Sequence, residues 1–448
     1  MNFLLDTNLL SLGEKIIQQL KKQKENGEIF LASGRGLQFS FSQGEMEDFR
    51  LSQESGIGLR ILVDQKIGFS SQNTLSVDKH LIEKARKNAL ESTADKYYSI
   101  VERKFSYPEI NSLFLEDENL ENISLLKKME KIKEQEKLAL NQDKRIKKVF
   151  RANYSESYGE NAILNTQGVR GSYRASFCSF GIAVLAGENG ETQIGTEIQH
   201  CRFYNDLEFE KVTLSATKKA LNLLGAKKIK SGKYSAVFDP WVSCEFLDLL
   251  AESFCADSVQ KGKSYLKDKR GEKIGSQLLN LIDDGLLPKG IGSAPYDGEG
   301  VPTKKKILTE NGILKNFLYD TYTATKDGVE STGNAGRDSF ASIPEPNTTN
   351  FYLLPGEKNR EEIIKEIKNG IYVLEVIGLH TADPVSGDFS VGISGQYIKD
   401  GELNFPLQGM TMAGNIWQLM NSIVVVGNDL KFYGSIGAPT IVFSEVTF

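Results

Sequence analysis

Four strand-like runs follow one another between residues 148 and 204, and they restrict the fold more than any other feature of the sequence. The runs are KVFRANYSESY (148–158), NAILNT (161–166), YRASFCSFGIAVLAG (173–187) and ETQIGTEIQHCRFY (191–204). Glu188-Asn189-Gly190 joins the last two, and Asn-Gly favours a two-residue hairpin turn because both residues tolerate a positive φ. So short a connection can join only antiparallel neighbours, and the sequence therefore predicts an antiparallel sheet here.

Helices and further strands are predicted before and after this region. Residues 11–26 place four apolar side chains on one helical stripe before Gly27, which predicts an amphipathic first helix; they are Leu12, Ile16, Ile17 and Leu20. Residues 28–72 alternate in short segments such as LQFSFS and IGLRILV, a pattern typical of a strand meander. Ser76 predicts the N-cap of a helix over 77–92, and a further helix is expected from about Leu207 to Leu224.

A strongly charged stretch at 124–148 predicts a long helix with a narrow apolar stripe, which fits a helix that bridges two domains. After the linker-like KKIKSGK come the strand YSAVFD, the helix PWVSCEFLDLLAESFCADSV and many strands separated by glycine-containing turns. A charged helix is expected at 360–370. We therefore expect an α+β fold: a first α/β domain over 1–106, a second over 107–228, and a β-rich C-terminal domain with a few helices over 229–448.

Composition excludes several classes of protein. The longest apolar runs, such as IVVVG, are strand-sized, and the N-terminus has no basic region before its apolar residues, so we expect neither a membrane span nor a secretory signal but a cytoplasmic protein. The net charge of −5 offers no broad attraction to phosphate, so we expect no nucleic-acid partner. The 4 cysteines include no C-x-x-C pair, which argues against a disulfide framework and a cysteine-rich zinc site.

The 3 histidines, His80, His200 and His380, are too far apart for one helix to supply two zinc ligands. We expect His80 on a helix surface and His200 on a sheet face. The stretch IGLHTADPVSGDFSVG, residues 377–392, adds Asp383 and Asp388 to His380 and is compatible with a metal site, an acid–base pair or a polar turn. Its Pro384 and Gly387 favour a turn, with His380 hydrogen-bonded to backbone or to Asp383.

Two acidic residues, Asp297 and Glu299, lie among the glycines of GSAPYDGEGVPT, residues 292–303. They could bind a cation or act as acid and base, but capping of tight turns is the simpler interpretation. Neither the phosphate-binding G-x-x-x-x-G-K-[ST] pattern nor a G-x-S-x-G nucleophile motif is present.

Long motifs in the third unit carry a family resemblance. They are DDGLLPKGIGSAPYDGEGVPTKKKILTENGILKNFLYDTYTA, then STGNAGR, then GLHTADPVSGDFSVGISGQYIKDGELNFPLQGMTMAGN. With these motifs the chain resembles the TldD/PmbA family, and within it the PmbA branch, also called TldE. The N-terminal GEMEDFRLSQESGIGLRILVDQKIGFSSQNTLS is similar to the family's first domain, so the resemblance runs from about residue 30 to the end.

This resemblance implies a cytoplasmic metallopeptidase complex that cleaves peptides or unfolded segments, a heterodimer in which the TldD-like subunit carries zinc. TldD-type chains bind zinc through an H-E-x-x-x-H helix and a late cysteine. The matching helix here reads LDLLAESFCAD, with Leu247 and Glu252 at the histidine positions and Asp248 at that of the glutamate. The region matching the late cysteine, GNDLKFYGSIGAPT, contains no cysteine. The resemblance thus implies a non-catalytic subunit without a cofactor of its own, and zinc in a TldD-like partner.

Glycine-rich strands of the third unit are then expected to pair with an extended peptide through their backbones. The residues expected near that groove are Asn334, His380, Asp383, Asp388 and Ser390. An alternative is a homodimeric peptide-binding or scaffold protein without peptidase activity, and a third reading is an autonomous hydrolase using Asp297, Glu299 and His380. The family is also known as modulator of DNA gyrase, a role that the acidic composition does not favour.

Overall fold

The computed structural model describes residues 8–383 and 385–448. Residues 1–7, which form much of the N-terminal segment used to argue against a secretory signal, lie outside the described residues. So does Pro384 of the predicted turn. The helices are α1 Leu9–Lys22, α2 Lys79–Glu91, α3 Leu125–Leu140, α4 Phe209–Asn222, α5 Pro240–Ala251, α6 Ala256–Gln260, α7 Thr321–Asp327, α8 Arg360–Glu366 and α9 Ile416–Asn421.

The strands fall into a long-stranded N-terminal set and a C-terminal set with many short members. The first set is β1 Asn26–Ser42, β2 Glu45–Val63, β3 Lys66–Gln72, β4 Ile146–Asn165, β5 Arg170–Glu188 and β6 Glu191–Cys201. The second is β7 Lys233–Phe238, β8 Leu281–Asp284, β9 Lys305–Ile307, β10 Thr309–Glu310, β11 Ile313–Leu314, β12 Ala335–Gly336, β13 Glu345–Pro346, β14 Phe351–Leu353, β15 Asn369–Ile377, β16 Asp388–Lys399, β17 Glu402–Asn415, β18 Ile423–Val426, β19 Lys431–Tyr433, β20 Ile436–Ala438 and β21 Ile441–Thr447.

The N-terminal strands form one antiparallel sheet in the order β3-β2-β1-β4-β5-β6. The predicted hairpin is confirmed: Asn189 has a φ of 51° and Gly190 a φ of 85°, as a primed turn between β5 and β6 requires. The expected boundary at residues 106/107 falls between β3 and β4. Strands from both sides of this boundary share the sheet, because β1 pairs with β2 on one side and with β4 on the other.

The first two of the four predicted runs are one strand, so the prediction of a separate strand at 161–166 was wrong. Gly159 does not break β4, because it lies opposite Gly34 of β1. A Cβ on Gly159 would lie 3.0 Å from the carbonyl oxygen of Ser33. The glycine therefore permits close approach of two long strands instead of marking a turn.

Helices cover this sheet. The predicted stripe of α1 is buried in full, but α2 is capped by Asp78, whose side chain accepts from the His80 N–H at 2.9 Å, and not by Ser76. The charged helix α3 packs on the sheet beside α4 and does not bridge two domains. Its buried face is wider than the apolar stripe because polar side chains have partners there: Lys128 donates to Glu156 and Gln135 accepts from Thr213.

The C-terminal unit contains a five-stranded sheet, β19-β20-β14-β8-β9, and a six-stranded sheet, β17-β16-β15-β7-β21-β18. The largest apolar core of the described residues surrounds α5 and draws on both of these sheets. The predicted α+β class with a β-rich C-terminal part is therefore confirmed. Among the described residues, no helix combines the length and apolar character needed to cross a bilayer.

The helix predicted over 240–259 is broken after Ala251. A 3-10 turn follows at Glu252–Phe254, and Cys255 is extended, with a φ of −76° and a ψ of 129°. Around this break the backbone of Leu318 pairs with the chain: Leu318 donates to Phe254 O and accepts from Ala256 N–H, both at 2.9 Å. A strand-like contact with a distant segment thus interrupts a sequence of helical character.

Candidate functional site

Helix α5 contains Leu247 and Asp248, which the sequence resemblance matched to the zinc motif of TldD-type chains. Asp239 caps its N-terminus by accepting from the Trp241 N–H at 3.1 Å, and Pro240 occupies the first turn. Leu247 is fully buried in the C-terminal core. Asp248 and Glu252 are exposed, and Glu252 lies in the 3-10 turn beyond the helix, where its carboxylate accepts from the Ser258 hydroxyl at 3.3 Å.

These three residues do not fit a zinc ion. Zinc needs three or four nitrogen, sulfur or carboxylate ligands around one point, whereas here an aliphatic side chain fills the core and the carboxylates face solvent. Within 8–383 and 385–448, no group of three or more His, Cys, Asp or Glu side chains could hold a metal ion. The geometry of α5 thus supports no metal-assisted step.

Helix α5 contacts residues 431–436, part of the segment that the sequence resemblance matched to the late cysteine. The thiol of Cys244 on α5 lies 3.5 Å from the carbonyl oxygen of Ile436 and 3.7 Å from that of Lys431. Burial raises the pKa of Cys244 to about 12, so the thiol stays protonated. It contributes a packing contact between helix and chain end.

The stretch containing His380 is an exposed turn that leads into β16. His380 lies in an exposed 3-10 turn, Leu379–Thr381. Within the described residues its ring hydrogen-bonds neither to backbone nor to Asp383, whose carboxylate has other partners, so the predicted hydrogen bond was wrong. The Asp383 carboxylate instead accepts from the N–H groups of Ser386, at 3.1 Å, and Val385, at 2.8 Å, and these bonds lower its pKa. Asp388 accepts from the Asn415 amide at 2.8 Å. The two aspartates therefore stabilise a turn.

Alternation along β16 gives this region two faces. Asp388 and Ser390 are exposed, whereas Phe389 and Val391 between and after them are buried. The Phe389 ring lies 5.2 Å from that of Phe246 on α5, so the exposed face is the side of β16 that points away from α5. Solvent-facing Asp388 and Ser390 belong to this face.

Asn334 belongs to a different part of the C-terminal unit and is buried. Its amide donates to Asp283, at 2.9 Å, and to the carbonyl oxygen of Asn347, at 2.8 Å, and its oxygen accepts from Lys306 at 2.8 Å. Its hydrogen-bonding capacity is largely used by this network, which ties β8 to β9 and to the 347–349 segment. The structure thus separates Asn334 from the four candidates around β16.

Asp297 caps a tight turn, as the simpler interpretation of this stretch predicted. Its carboxylate accepts from three backbone N–H groups: those of Glu299, at 2.9 Å, and of Val301 and Ala335, both at 3.0 Å. Burial and the nearby charge of Glu299 nevertheless raise its pKa above the usual carboxyl range.

Glu299 belongs to a buried ionic cluster that joins the two units. Arg60 of β2 donates to Glu299 at 2.8 Å and to Glu28 of β1 at 3.0 Å, and Arg337 donates to the other oxygen of Glu28 at 2.6 Å. Burial tends to raise the pKa of Glu299, but the Arg60 guanidinium and the N–H of Thr321 outweigh it and lower the pKa. We call Glu28, Arg60, Glu299 and Arg337 the ionic cluster.

Sequence patterns identified Glu299 but missed the other members of the ionic cluster. Glu28 begins the run EIFLA, Arg60 interrupts the apolar run GLRILV, and the two residues are direct partners across β1 and β2. Opposite charges inside two neighbouring apolar strands are the signal that could have indicated a buried pair.

Among the cavities where the units meet, two border residues described above. The smaller, about 220 Å³, lies beside Asp297 and Asn334, and amides, hydroxyls and glycine backbone line it, including Asn161 and Tyr173 of the first sheet. The larger, about 910 Å³, lies between α4, α8 and the C-terminal sheet. In its wall Tyr372 donates to Asp239 at 2.5 Å. Such linings can hold a peptide group or an apolar side chain.

Comparisons with known proteins cover most of the chain. Models of the PmbA/TldA metallopeptidase match in three parts: domain 1 at residues 27–89, the central domain at 118–224 and the C-terminal domain at 231–448. An uncharacterized protein of Methanocaldococcus jannaschii is 30% identical over 96% of this chain and 98% of its own. Metalloprotease PmbA of Escherichia coli O157:H7 is 26% identical over 98% and 99%.

Solved structures agree in fold over the same extent. A putative modulator of a DNA gyrase from Thermotoga maritima has a TM-score of 0.91 at 28% identity, covering 98% of this chain and 99% of its own. TldE from Thermococcus kodakarensis has a TM-score of 0.87 at 25% identity, covering 97% and 99%. With three matching domains in order and full-length relatives, this chain belongs to the PmbA/TldD family of metallopeptidases.

Proposed function

We propose that this chain is the zinc-free, non-catalytic subunit of a cytoplasmic peptidase complex, the counterpart of TldE/PmbA, and that it pairs with a zinc-bearing TldD-like subunit. The observation that carries the proposal is the set of residues that α5 and the turn after it place at the zinc-motif positions. A fully buried Leu247 occupies the first ligand position, and the two remaining positions carry solvent-facing carboxylates. A chain with this helix needs a partner to supply the hydrolytic centre.

In this proposal the chain helps to close the chamber in which peptides are cleaved. The exposed face of β16, with Asp388 and Ser390, lies beside the His380 turn, on the side of the strand that points away from α5. Asp383 and Asp388 hold the turn in shape, and Asn334 supports the wall of the smaller cavity. An extended peptide that pairs with backbone groups is bound with little regard to its sequence, which suits cleavage of unfolded segments.

Co-expression with a TldD-like chain tests the pairing. We expect the two chains to elute together, zinc to follow the TldD-like chain, and peptidase activity to exceed that of the TldD-like chain alone. Separate elution without any gain in activity contradicts the proposal, and peptide binding by this chain alone would then favour the homodimeric binding protein.

Metal analysis of this chain alone tests the zinc-free state. We expect far less than one zinc per chain in the wild type and in His380→Ala. The matched control is His80→Ala, because His80 is an exposed histidine on the remote helix α2. Nearly one zinc per chain, lost in His380→Ala and kept in His80→Ala, would overturn the assignment of this chain as the zinc-free subunit.

A further inference from the structure

The outer edge of β2 is exposed over its first half. In the sheet, β3 pairs with β2 only at residues 57–63, on the side away from β1. Over 45–55 that side of β2 therefore faces no other strand within the residues that the structure describes. Every residue from 45 to 54 is exposed. The backbone N–H and C=O groups along this edge are free to pair with another strand.

Large apolar side chains accompany this open edge. Met46 is 43% exposed, Phe49 41% and Leu51 70%. Phe49 lies opposite the buried Phe39 of β1, which places it on the side of the sheet that α3 covers. An open edge with apolar side chains is a template for association with another chain.

Helix α3 lies on the same side of the sheet as Phe49. Glu121, just before the helix, pairs with Arg35, and Glu136 near its end accepts from the Gly44 N–H at 3.0 Å. The helix thus runs along β1 from residue 35 to residue 44, and its first turn lies near the level of Leu51. Leu126 in that turn is 71% exposed.

We propose that this edge is an interface between two copies of this chain, in which β2 pairs antiparallel with β2 of the second copy about a two-fold axis at Ser52. In such an antiparallel pair, residues whose backbone groups point toward the second copy must lie opposite each other. The register can therefore shift only in steps that place the two-fold axis at another residue. A bulge at Glu47 ends the regular part of the edge at Asp48, because Asp48 lies opposite Ser40 whereas Met46 lies opposite Phe41.

Charge selects the register within 48–56. Pairing about Ser52 places Arg50 opposite Glu54 of the second copy, twice by symmetry. Centring on Leu51 places Asp48 opposite Glu54, and centring on Arg50 places two arginines opposite each other, so both of these registers oppose like charges. Centring on Gln53 places Arg50 opposite Gly56 and Glu54 opposite Ser52, so that register forms no ion pair. Neither Arg50 nor Glu54 has an ion-pair partner among the described residues of its own chain.

The same register brings the two Leu51 side chains into diagonal contact, since each lies opposite Gln53 of the other copy. Nine residues of paired strand form a small interface, so the dimer is expected to depend on concentration. The inference concerns this chain alone and does not depend on the proposed zinc-bearing partner.

Charge reversal tests the register. Sedimentation of the purified full chain across micromolar concentrations is expected to show a monomer–dimer equilibrium. Arg50→Glu and Glu54→Arg each oppose like charges in their own dimer, so each alone is expected to stay monomeric. An equal mixture of the two variants, and separately the double variant R50E/E54R, are expected to dimerise like the wild type. Lys87→Glu, a reversal at a 74%-exposed position on α2, is the control and is expected to leave the equilibrium unchanged.

Three results overturn the inference. They are a wild-type chain that stays monomeric throughout the range, a dimer that neither single reversal weakens, and single variants that fail to associate when mixed. A monomeric wild-type chain whose single variants lose binding to an extended peptide would assign the edge to peptide instead. Circular dichroism of each variant verifies folding, which is expected to be unaffected because both positions are exposed.

Discussion

Replacing Arg60 by methionine tests whether the ionic cluster holds the two units together. Arg60 is 6% exposed in its side chain, and its partners Glu28 and Glu299 are 0% and 1% exposed. In Arg60→Met, Glu28 keeps Arg337, but Glu299 keeps only the Thr321 N–H at 2.8 Å. Removing one partner of a buried ion pair costs about 3–5 kcal/mol, because the remaining charge stays buried without compensation.

This effect is measured as a change in the free energy of unfolding in urea. Circular dichroism monitors unfolding of the whole chain, and fluorescence of the 2 tryptophans, Trp241 and Trp417, monitors unfolding of the C-terminal unit. The matched control is Arg170→Met. Arg170 pairs with Glu14 at 2.8 Å, but the two side chains are 53% and 43% exposed, so its loss is expected to cost at most about 1 kcal/mol.

The double variant Arg60→Met/Glu299→Gln completes a cycle. Glutamine removes the charge that Arg60→Met leaves buried, so the double variant is expected to be less destabilised than the sum of the single variants by about 1 kcal/mol or more. Equal effects of Arg60→Met and Arg170→Met, or additive single effects, would refute the reasoning that this cluster couples the units.

Further predictions concern titration, the lost zinc position and packing. Burial and the charge of Glu299 raise the pKa of Asp320 to about 6, so the wild type is expected to lose stability as pH rises from the usual carboxyl pKa through about 6. Asp320→Asn keeps the hydrogen bond to the Thr323 N–H but has no carboxyl group to titrate. The stability of this variant relative to wild type should therefore rise over the same pH interval, and a pH-independent difference in urea unfolding contradicts this. Leu247→His places a polar ring at a fully buried position and is expected to lower the free energy of unfolding in urea by about 1–3 kcal/mol. This variant is expected to bind no zinc in metal analysis, and about one zinc per chain would contradict that. Gly395→Ala would place a Cβ 2.1 Å from the Tyr372 carbonyl oxygen and should lower the melting temperature. In the control Gly392→Ala the new Cβ would lie 3.6 Å from its nearest neighbour, Ile377 Cβ, and the melting temperature should not fall. Equal melting temperatures of the two variants contradict this.

Features that depend on neighbours in the chain could be predicted. Asn189-Gly190 determines its hairpin through its own φ values, and Asp297 caps a turn whose donors include N–H groups two and four residues later. The stripe of α1 likewise needs only its own spacing. In each case the residues that decide the structure lie within one turn or one helix.

Features that depend on distant partners could not be predicted. Arg60 and Glu299 are separated by 239 residues, and no local pattern states that one will neutralise the other. The burial of Lys128 on α3 likewise depends on Glu156 of β4, so the apolar stripe alone did not predict the width of the buried face. The peptide groove stays a prediction, since exposure of Asp388 and Ser390 indicates an accessible surface but not its ligand.

The sequence distance within the ionic cluster also sets an order of events during synthesis. Glu28 and Arg60 face each other in the hairpin of β1 and β2, which can form as soon as both strands have left the ribosome. Glu299 follows Arg60 by 239 residues, a delay of about 10–50 s at elongation rates of about 5–20 residues per second. During that time the N-terminal pair remains hydrated, and its burial marks the moment at which the C-terminal unit docks onto a sheet that already exists.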